Sequence, residues 1–511
     1  MARGRSRVRG SCPSGGTRCW AVLLGTTMGL VMSAGLVQEM RERWRNQVLD
    51  SGPELMGPES GAETRARPRE PEPRVYCLLP PHQGGDGDLE EVRRVLARLG
   101  FTRGGPQSRW SLLWAHGYPP FSRLLPWGPP SILPRWINHF PGSGFLTSKL
   151  HVAYTNLTFI PRAFHLPEDT RLLVAQAKEQ PEKLWLQKSR SHRGIQIVSP
   201  HDLEHLGADV FVQEFVQRPL LIDGRKFDVG IYVVVTSVQP LRVYAYDEEV
   251  LLRFCSKNYL PFDPRDVLSY VVGDEYTPTW EMPSLRRAYV DHKYSHKQTL
   301  AAHLRSRGMA PERLWDDIKK AIADLLLVKE PQLNASLQGQ ASHWKFFELV
   351  RFDFLLDEDL NIHLMEVNMS PNLSSRHFPP NRLLYEQVLF STLQLVGVAT
   401  SFIQGDTHSV AMQVSDRDIQ THPELCLHDC RDSCKHKCQL CEPCLSAAWR
   451  SALKEAHLEH TRRWHTRRVF PPPPTGQSGW DPRQEARLSE HNQLMAWWFK
   501  GKCLQDITWC F

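Results

Sequence analysis

The stretch Phe346–Ser375 constrains the fold of this chain more than any other part of the sequence. Two runs rich in strand-forming residues are separated by a turn at Asp357–Asn361, so the pattern predicts a β-hairpin. Because side chains alternate along a strand, Asp353 is expected on one face of the first strand, while Glu366 and Asn368 share a face of the second. Antiparallel pairing would bring these three oxygen-bearing side chains to one place.

This set of ligands suits a divalent cation that is shared with a nucleotide. Mg²⁺ prefers carboxylates combined with substrate phosphates over a cage built only from protein groups. The alternative is a hairpin with solvated acids. However, Glu366 and Asn368 lie in the apolar run LMEVN, where a merely structural strand would seldom place a charge. The sequence therefore predicts a metal site formed by Asp353, Glu366 and Asn368.

Length and composition indicate a large globular protein. A chain of 511 residues predicts one catalytic unit of two or three subdomains with appendages. Hydrophobic residues make up 41% of the chain and aromatic residues 10%, which is enough for a sizeable core. The formal charge of +6 is modest for this length, so we expect no nucleic-acid partner.

The N-terminal region predicts a membrane anchor. Cys19–Val37 is an uncharged run long enough to cross a bilayer as a helix. Basic residues are more numerous in the preceding tail (1–18) than just after the run, which leaves the tail in the cytosol and the body in the lumen or outside the cell. Residues 38–74 are rich in Pro, Gly, Glu and Arg and predict a disordered stalk. A cleaved signal peptide and a buried or amphipathic helix are the alternatives to this single-pass type II arrangement.

Cysteines are crowded in the C-terminal extension, residues 401–511. Such crowding outside the cytosol favours disulfides, although zinc is the alternative, because His428 and His436 lie close by. N-linked glycosylation sequons begin at Asn156 and Asn334. The cysteines beyond the anchor are Cys77, Cys255, Cys426, Cys430, Cys434, Cys438, Cys441, Cys444, Cys503 and Cys510.

The central region, residues 75–400, predicts a strand-rich domain with cations placed for phosphate binding. Lys188 ends a strand and is followed by a polar loop that contains a glycine, a pattern that can cover phosphates. An Asp-Gly turn then starts a strand that carries Lys226 and Asp228 on one face, and Arg253 lies near the end of a later strand. This order fits an enzyme that holds ATP between two β-layers. Helices are expected at 89–99, 171–178, 311–328 and 382–397.

Four segments together resemble the tubulin tyrosine ligase-like family, whose fold is ATP-grasp. The resemblance runs from about residue 75 to residue 398. It implies an α+β fold in which two β-rich subdomains clasp ATP, with an N-terminal α/β subdomain. The segments are WINHFPGSGFLTSKL (136–150), LWLQKSRSHRGIQIVSP (184–200), VFVQEFVQRPLLIDGRKFDVGIYVVVTSVQPLRVY (210–244) and FELVRFDFLLDEDLNIHLMEVNMSPNLSS (347–375).

The resemblance implies a role for each matching residue. Lysines would hold the nucleotide phosphates, a glycine loop would cover them, a hinge would line the adenine, and two residues would face substrate and nucleotide. An arginine would meet the acceptor or the γ-phosphate, and the acidic hairpin would bind Mg²⁺. These residues are, in the same order, Lys149 and Lys188; Gly194 and Ile195; Gln213, Glu214, Phe215 and Val216; Lys226 and Asp228; Arg253; and Asp353, Glu366 and Asn368.

The resemblance also implies an activity. Family members use ATP to activate a carboxylate as an acyl phosphate, which an amine then attacks to form an amide or isopeptide bond. We therefore expect a membrane-anchored protein glutamylase that uses ATP, Mg²⁺ and free glutamate. The acceptor is tubulin by family resemblance, or a lumenal protein by the predicted topology.

Three departures from the family pattern keep a second hypothesis open. Gly230 stands where the family usually has an arginine, and Arg351 replaces a small residue shortly before the metal-site aspartate. The family's HLTN-type segment is replaced by Ala288–Leu300, where His292, Lys293 or Lys297 are candidate substitutes. The alternative to a ligase is thus a catalytically weakened pseudoenzyme that keeps nucleotide binding and acts as a scaffold.

Overall fold

The structure is a computed structural model that describes residues 74–79, 89–124, 135–189, 194–199, 203, 206, 210–339, 344–399, 413–431, 433–474 and 482–511. These residues belong to one compact unit, Pro71–Phe511. The predicted anchor at 19–37 and nearly all of the predicted stalk lie outside the described residues. Within the described ranges, no helix is both long enough and apolar enough to cross a membrane.

The first sheet is parallel and explains why the N-terminal part reads as α/β. Its order is β14-β4-β3-β1-β2. Helix α1 (Glu90–Arg98) follows β1 and buries Val92, Val95 and Leu96, which lie on one side of the helix at spacings of three and four residues. A parallel pair needs such a crossover connection. The strands are β1 Val75–Leu79, β2 Thr102–Gly104, β3 Leu112–Ala115, β4 Arg135–Ile137 and β14 Trp344–Phe346.

The second sheet is antiparallel and carries the predicted phosphate-binding lysine. Its order is β5-β8-β6-β7, and helix α5 (Thr170–Glu179) packs Leu173 and Ala177 into the same small core as Trp185. The strands are β5 Ala163–His165, β6 Trp185–Ser189, β7 Gln196–Val198 and β8 Val210–Glu214.

The third and largest sheet has eight antiparallel strands. Strand β10 is the longest and pairs with β15 on one side and with β12 and then β11 on the other. Strand β15 pairs in turn with β16, which confirms the predicted hairpin around the turn at 357–361. The strands are β9 Leu221–Ile222, β10 Arg225–Val238, β11 Leu241–Tyr246, β12 Leu251–Phe254, β13 Thr277–Pro278, β15 Glu348–Leu356, β16 Ile362–Met369 and β17 Thr466–Phe470.

The helices of the central region, residues 75–400, surround these sheets. Helix α7 begins with a capping box, in which the Ser295 hydroxyl accepts from the backbone of Gln298 and the Gln298 side chain accepts in return from Ser295. The helices are α2 Phe121–Leu124, α3 Gly144–Thr147, α4 Lys149–Ala153, α6 Pro283–Arg286, α7 His296–Ser306, α8 Pro311–Leu337 and α9 Arg382–Leu395.

Helix α8 is longer than the sequence predicts because tertiary contacts hold its last turns. It continues through Pro331, which removes one backbone donor and normally ends or kinks a helix. Lys329 donates to the backbone oxygen of His151 at 2.6 Å, and Glu330 accepts from Asn492 at 2.7 Å. These contacts fix the turn that the proline weakens.

The C-terminal extension is packed on the central sheet and contributes a strand to it. Strand β17 pairs antiparallel with β11 at the end of the strand order. The extension has its own core around Leu453, Trp498 and Trp509. Its helices are α10 Pro423–His428, α11 Ala447–Arg462, α12 Pro482–Glu485 and α13 Glu490–Gln505.

Four disulfides confirm the prediction for the cysteine cluster. Among the described residues, no group of three His, Cys, Asp or Glu side chains could hold a metal ion, so the zinc alternative finds no support there. Cys77 and Cys255 are buried and free. The disulfides join Cys426 to Cys441, Cys430 to Cys438, Cys434 to Cys444, and Cys503 to Cys510.

A buried ion pair fastens the extension to the sheet. Arg242 of β11 donates to both carboxylate oxygens of Glu459 on α11, at 2.8 and 3.0 Å, and the Tyr244 hydroxyl donates to the same carboxylate at 3.1 Å. Arg468 of β17 is also buried and lies 3.7 Å from the ring of Phe499. The arginine-rich residues 461–468 are thus divided between the end of α11 and the start of β17.

The three sheets and their helices form a mixed α/β fold that is consistent with the expected ATP-grasp architecture.

Candidate active site

Strand register brings the predicted site residues together across four neighbouring strands. On β10, Asp228 lies opposite Arg253 of β12, and Gly230 lies opposite Asp353 of β15. Asp353 in turn lies opposite Glu366 of β16. This face is polar because alternate side chains of the same strands turn into the core. Those core residues are Val229, Ile231, Phe352 and Phe354.

Two arginines and two aspartates form a continuous network at this place, in which Arg351 and Asp353 are buried and Arg253 and Asp228 are half-buried. Arg253 donates to both oxygens of Asp228, at 2.9 and 2.7 Å, and also to Oδ2 of Asp353 at 2.8 Å. Arg351 donates to both oxygens of Asp353, at 2.6 and 2.8 Å. Paired forks of this kind are strong and fix geometry. The network therefore orients both carboxylates.

The pKa values of the two aspartates shift in opposite directions. Burial raises the pKa of Asp228, and Arg253 opposes that shift. Burial also acts to raise the pKa of Asp353, but Arg351 and Arg253 outweigh it and hold that pKa below its ordinary value. Asp353 is thus kept as an anion, the form in which a carboxylate binds a cation.

The three predicted metal ligands converge. The Asn368 amide donates to Oδ2 of Asp353 at 2.8 Å and to Oε1 of Glu366 at 3.0 Å. The other oxygen of Glu366 lies 3.8 Å from Nζ of Lys149 at the start of α4. Asp353 is buried, whereas Glu366 and Asn368 are half-buried. One amide NH2 group thus links two carboxylates beside a cation, and the oxygens of Asp353 and Glu366 are ligands of the kind that Mg²⁺ takes when it is shared with phosphates.

Three lysines place positive charge beside the carboxylates. Nζ of Lys188 donates to the side-chain oxygen of Gln213 at 2.6 Å. Burial lowers the pKa of Lys188 to about 8; Glu366 opposes that shift, and the nearby charges of Lys149 and Lys226 add to it. These lysines and Glu366 are therefore close enough to influence one another electrostatically.

Lys226 is held by a backbone carbonyl rather than by a carboxylate. Its Nζ donates to the Tyr270 oxygen at 2.8 Å and lies 5.1 Å from the ring of Phe215. Burial lowers its pKa. A buried ammonium with one neutral acceptor retains donors for a further oxygen.

The predicted hinge lines a cavity of about 920 Å³. Glu214, Phe215 and Val216 contribute to its wall, and Glu214 forms an ion pair with Lys183. Gln213 is buried instead, and its amide donates to the backbone oxygen of Pro161 at 2.8 Å. The hinge residues therefore divide between the cavity wall and the support of Lys188.

The predicted glycine loop is described only in part. Gly194 is exposed and has φ of +90°, a conformation that favours glycine, and Ile195 is half-buried. Residues 190–193 lie outside the described residues.

Lys297 is one of the candidate substitutes in the segment Ala288–Leu300. Instead of joining the site carboxylates Asp353 and Glu366, it donates to the backbone and side-chain oxygens of Asp247, at 2.7 and 2.8 Å.

Sequence reasoning did not identify a buried pair at the edge of the site. His139 lies 2.6 Å from Glu348, and its other ring nitrogen lies 3.1 Å from the Ser370 hydroxyl, just beyond β16. The pair therefore ties the N-terminal sheet to the end of the strand that carries Glu366. A histidine inside the apolar run WINHF was the available signal.

Comparisons with known proteins place the chain in a family. Residues 135–405 match the tubulin-tyrosine ligase family. The probable tubulin polyglutamylase ttll-15 of Caenorhabditis elegans is 39% identical over 443 residues, which is 83% of this chain and 84% of that protein.

Two further relatives are similar over shorter stretches. The tubulin polyglutamylase ttll6 of Danio rerio is 28% identical over 64% of this chain, a match that covers 44% of the relative. The tubulin monoglutamylase TTLL4 of Mus musculus is 31% identical over 51% of this chain and 23% of its own length.

The chain therefore belongs to the tubulin-tyrosine ligase family. It is an ATP-dependent ligase of that type, an enzyme that joins a carboxylate to an amine.

Proposed function

We propose that this enzyme is a protein glutamylase that forms isopeptide bonds on acidic protein segments. The γ-phosphoryl group of ATP is transferred to a side-chain carboxylate of the acceptor, and ADP leaves. The amino group of free glutamate then attacks the acyl carbon, phosphate leaves and the amine proton is lost. The convergence of Asp353, Glu366 and Asn368 beside Lys149 is the observation that carries this proposal.

The lysines and the hinge would bind the nucleotide. Lys149 and Lys188 lie where anionic phosphates would be neutralised, with Gly194 and Ile195 in the adjoining loop. By the family resemblance, hinge residues 213–216 would take the adenine, and Gln213 of this segment contacts Lys188. Burial of Lys188 and Lys226 removes competing water, which strengthens their attraction for phosphate oxygens.

Asp353, Glu366 and Asn368 would hold Mg²⁺. When bound there, Mg²⁺ would supply positive charge against the negative charge that develops during transfer. Lys226 and Asp228 would face the nucleotide and the substrate, and Arg253 would meet the acceptor carboxylate or the γ-phosphate. Arg253 is already fixed by Asp228 and Asp353, so little reorganisation is needed when an anion arrives.

The direct test is incorporation of labelled glutamate into acceptor proteins. We expect the wild-type chain to incorporate label and Glu366→Gln to lose about 10²- to 10³-fold in rate, as when one preorganised electrostatic contact is removed. The matched control is Glu424→Gln, at an exposed glutamate of α10. Equal rates for wild type and Glu366→Gln would reject the role of Glu366.

The acceptor follows from which proteins take the label. The relatives that resemble this chain are named as tubulin-modifying enzymes, so purified tubulin is the first acceptor to offer. Extracts of secretory-pathway proteins form the second. Label in tubulin alone supports a cytosolic reaction, and label in secretory proteins alone supports a lumenal one.

The second candidate function is nucleotide-dependent scaffolding without turnover. Both oxygens of Asp353 are already engaged by arginines, an arrangement that also suits a site that binds without reacting. ATP binding by calorimetry together with no label in any acceptor would favour this function.

We also propose that the body is lumenal or extracellular and is anchored by Cys19–Val37. Four disulfides support an oxidising compartment. Asn156 is exposed and open to glycosylation, whereas Asn334 is half-buried within α8. We expect glycosidase to increase the mobility of the protein and Asn156→Gln to abolish that shift. No shift in wild type would count against this location.

A further inference from the structure

Gly230 and Arg351, the two residues that depart from the family pattern around the metal-site aspartate, occupy one place in the fold. Gly230 of β10 lies opposite Asp353 of β15, and Arg351 lies two residues before Asp353 on the same face. A Cβ atom at position 230 would lie 2.8 Å from Cδ of Arg351 and 3.2 Å from its Nε. The Arg351 side chain therefore fills the space above Gly230.

Space, rather than backbone conformation, requires the glycine. Gly230 lies within a regular strand that pairs with β15 without interruption on both sides of it, and the pairing with β12 ends at Gly230 itself. A side chain at position 230 would meet Oδ1 of Asp353 at 3.2 Å as well as Arg351. Contacts this short force neighbouring atoms to shift. The space between positions 230 and 351 thus accommodates one large side chain, from one position or the other.

Arg351 uses that room to orient Asp353. Its guanidinium donates to both oxygens of Asp353 and is almost completely buried, while Arg253 donates to Oδ2 of the same carboxylate. Asn368 reaches the same carboxylate and links it to Glu366. The position of Arg351 thus determines how Asp353 is presented to its neighbour on β16.

We propose that Gly230 and Arg351 act as one unit, in which Arg351 reaches across from β15 and supplies the cation at position 230. Arg351 is a positioning residue that acts through Asp353 and orients this carboxylate for the Mg²⁺ that accompanies ATP. Gly230 is the residue that makes this possible. The inference rests on the proposed nucleotide site and explains how the site keeps a guanidinium despite glycine at position 230.

If the two positions act as one unit, the site needs one guanidinium group, supplied from position 230 or from position 351. Arg351→Met removes the charge and keeps most of the volume, whereas Gly230→Ala keeps the charge and displaces it. Gly230→Arg alone crowds two guanidiniums into one space. The double variant Gly230→Arg/Arg351→Gly moves the cation to the other strand. Matched controls are Gly273→Ala, where a Cβ meets nothing within 4 Å, and Arg313→Met at an exposed arginine.

ATP binding with and without Mg²⁺ is the decisive measurement. In calorimetry with Mg²⁺, we expect Arg351→Met to weaken ATP binding by about tenfold or more, while binding in EDTA changes little. Gly230→Ala should also weaken ATP binding in the presence of Mg²⁺, but by a smaller factor. The double variant should return to within about tenfold of wild type, with a non-additive recovery that marks direct coupling.

Two results would overturn the proposal. One is an Arg351→Met variant that binds ATP in the presence of Mg²⁺ as tightly as wild type does. The other is a folded double variant that binds ATP no more tightly than the Gly230→Arg variant does. Thermal unfolding of each variant separates lost folding from lost binding. A wild type that binds ATP and Mg²⁺ but transfers no glutamate would refute the proposed function, and the binding comparison would still decide the role of this pair.

Discussion

Two buried arginine–carboxylate networks stabilise this enzyme, and they differ in what surrounds them. In the extension, Arg242 and Glu459 are enclosed between β11 and α11, with Tyr244 as a third partner. In the site, Arg253 and Arg351 converge on Asp353, and the network continues to half-buried Glu366 and Asn368. Both have the same chemistry, but the first ends at the ion pair of Glu455 with Lys345, whereas the second leads to the residues predicted to bind the cation and the nucleotide.

The difference teaches that burial of an ion pair does not reveal its purpose. A closed pair such as Arg242 with Glu459 fixes how two elements dock, because breaking it removes the closest partner of a buried charge. An open network such as that of Asp353 fixes the orientation of charges that still have room for a ligand. Mutations should separate the two: the first network should affect folding, and the second should affect turnover.

The largest effect is expected at the closed network. Glu459→Ala leaves the buried Arg242 guanidinium with only Glu455, at 3.5 Å, as a carboxylate partner and removes the acceptor of Tyr244. We expect the free energy of unfolding to fall by about 3–5 kcal/mol, measured by urea denaturation. The control Glu424→Ala on the exposed face of α10 should stay within about 0.5 kcal/mol. A loss below about 1 kcal/mol for Glu459→Ala would show that this network is dispensable.

The open network should respond in the opposite way. Arg253→Lys keeps the charge but loses the fork that joins Asp228 and Asp353. We expect glutamate transfer to fall by about 10²-fold, with a smaller loss of stability than in Glu459→Ala. Arg313→Lys on the surface of α8 is the matched control. Unchanged turnover would make Arg253 a structural residue like Arg242.

The disulfide between Cys503 and Cys510 tests how firmly the extension supports the closed network. It closes a short loop beside Trp509, which packs against Trp498. Replacing both cysteines by serine should lower the free energy of unfolding by about 2–3 kcal/mol, the loop-entropy value for this spacing. Denaturant titration of the variant and the parent measures this difference in the free energy of unfolding. Equal stability of the serine variant and the parent would mean that packing alone holds the tail.

The smallest effect concerns pH at the edge of the open network. Because burial lowers the pKa of Lys188 to about 8, Lys188 loses its charge as the pH rises through 8. ATP affinity should therefore be constant near pH 7 and weaken by up to about tenfold per unit above pH 8. Lys188→Arg should flatten the profile, because arginine stays charged, whereas Lys178→Arg on α5 should not. A flat wild-type profile would contradict this role for Lys188.

Short-range patterns in the sequence predicted the parts of the site that lie on one hairpin. Alternation placed Asp353 away from Phe352 and Phe354, and the structure agrees. Crowded cysteines predicted disulfides, and four are present. These features depend on neighbours a few residues apart, which local pattern can show.

Features that depend on distant pairing could not be predicted. Gly230 and Arg351 read as two separate departures because only the register between β10 and β15 brings them together. The end of α8 was missed because contacts from His151 and Asn492 outweigh the effect of Pro331. Strand β17 was missed because its partner β11 lies far earlier in the chain.

That distant strand has a consequence for biosynthesis. Translation produces β11 long before β17, so the growing polypeptide carries an unpaired sheet border until the extension emerges and docks. An open border of this kind can recruit another chain and aggregate. Premature stop codons upstream of residue 466 should therefore yield insoluble product rather than a shortened but active ligase.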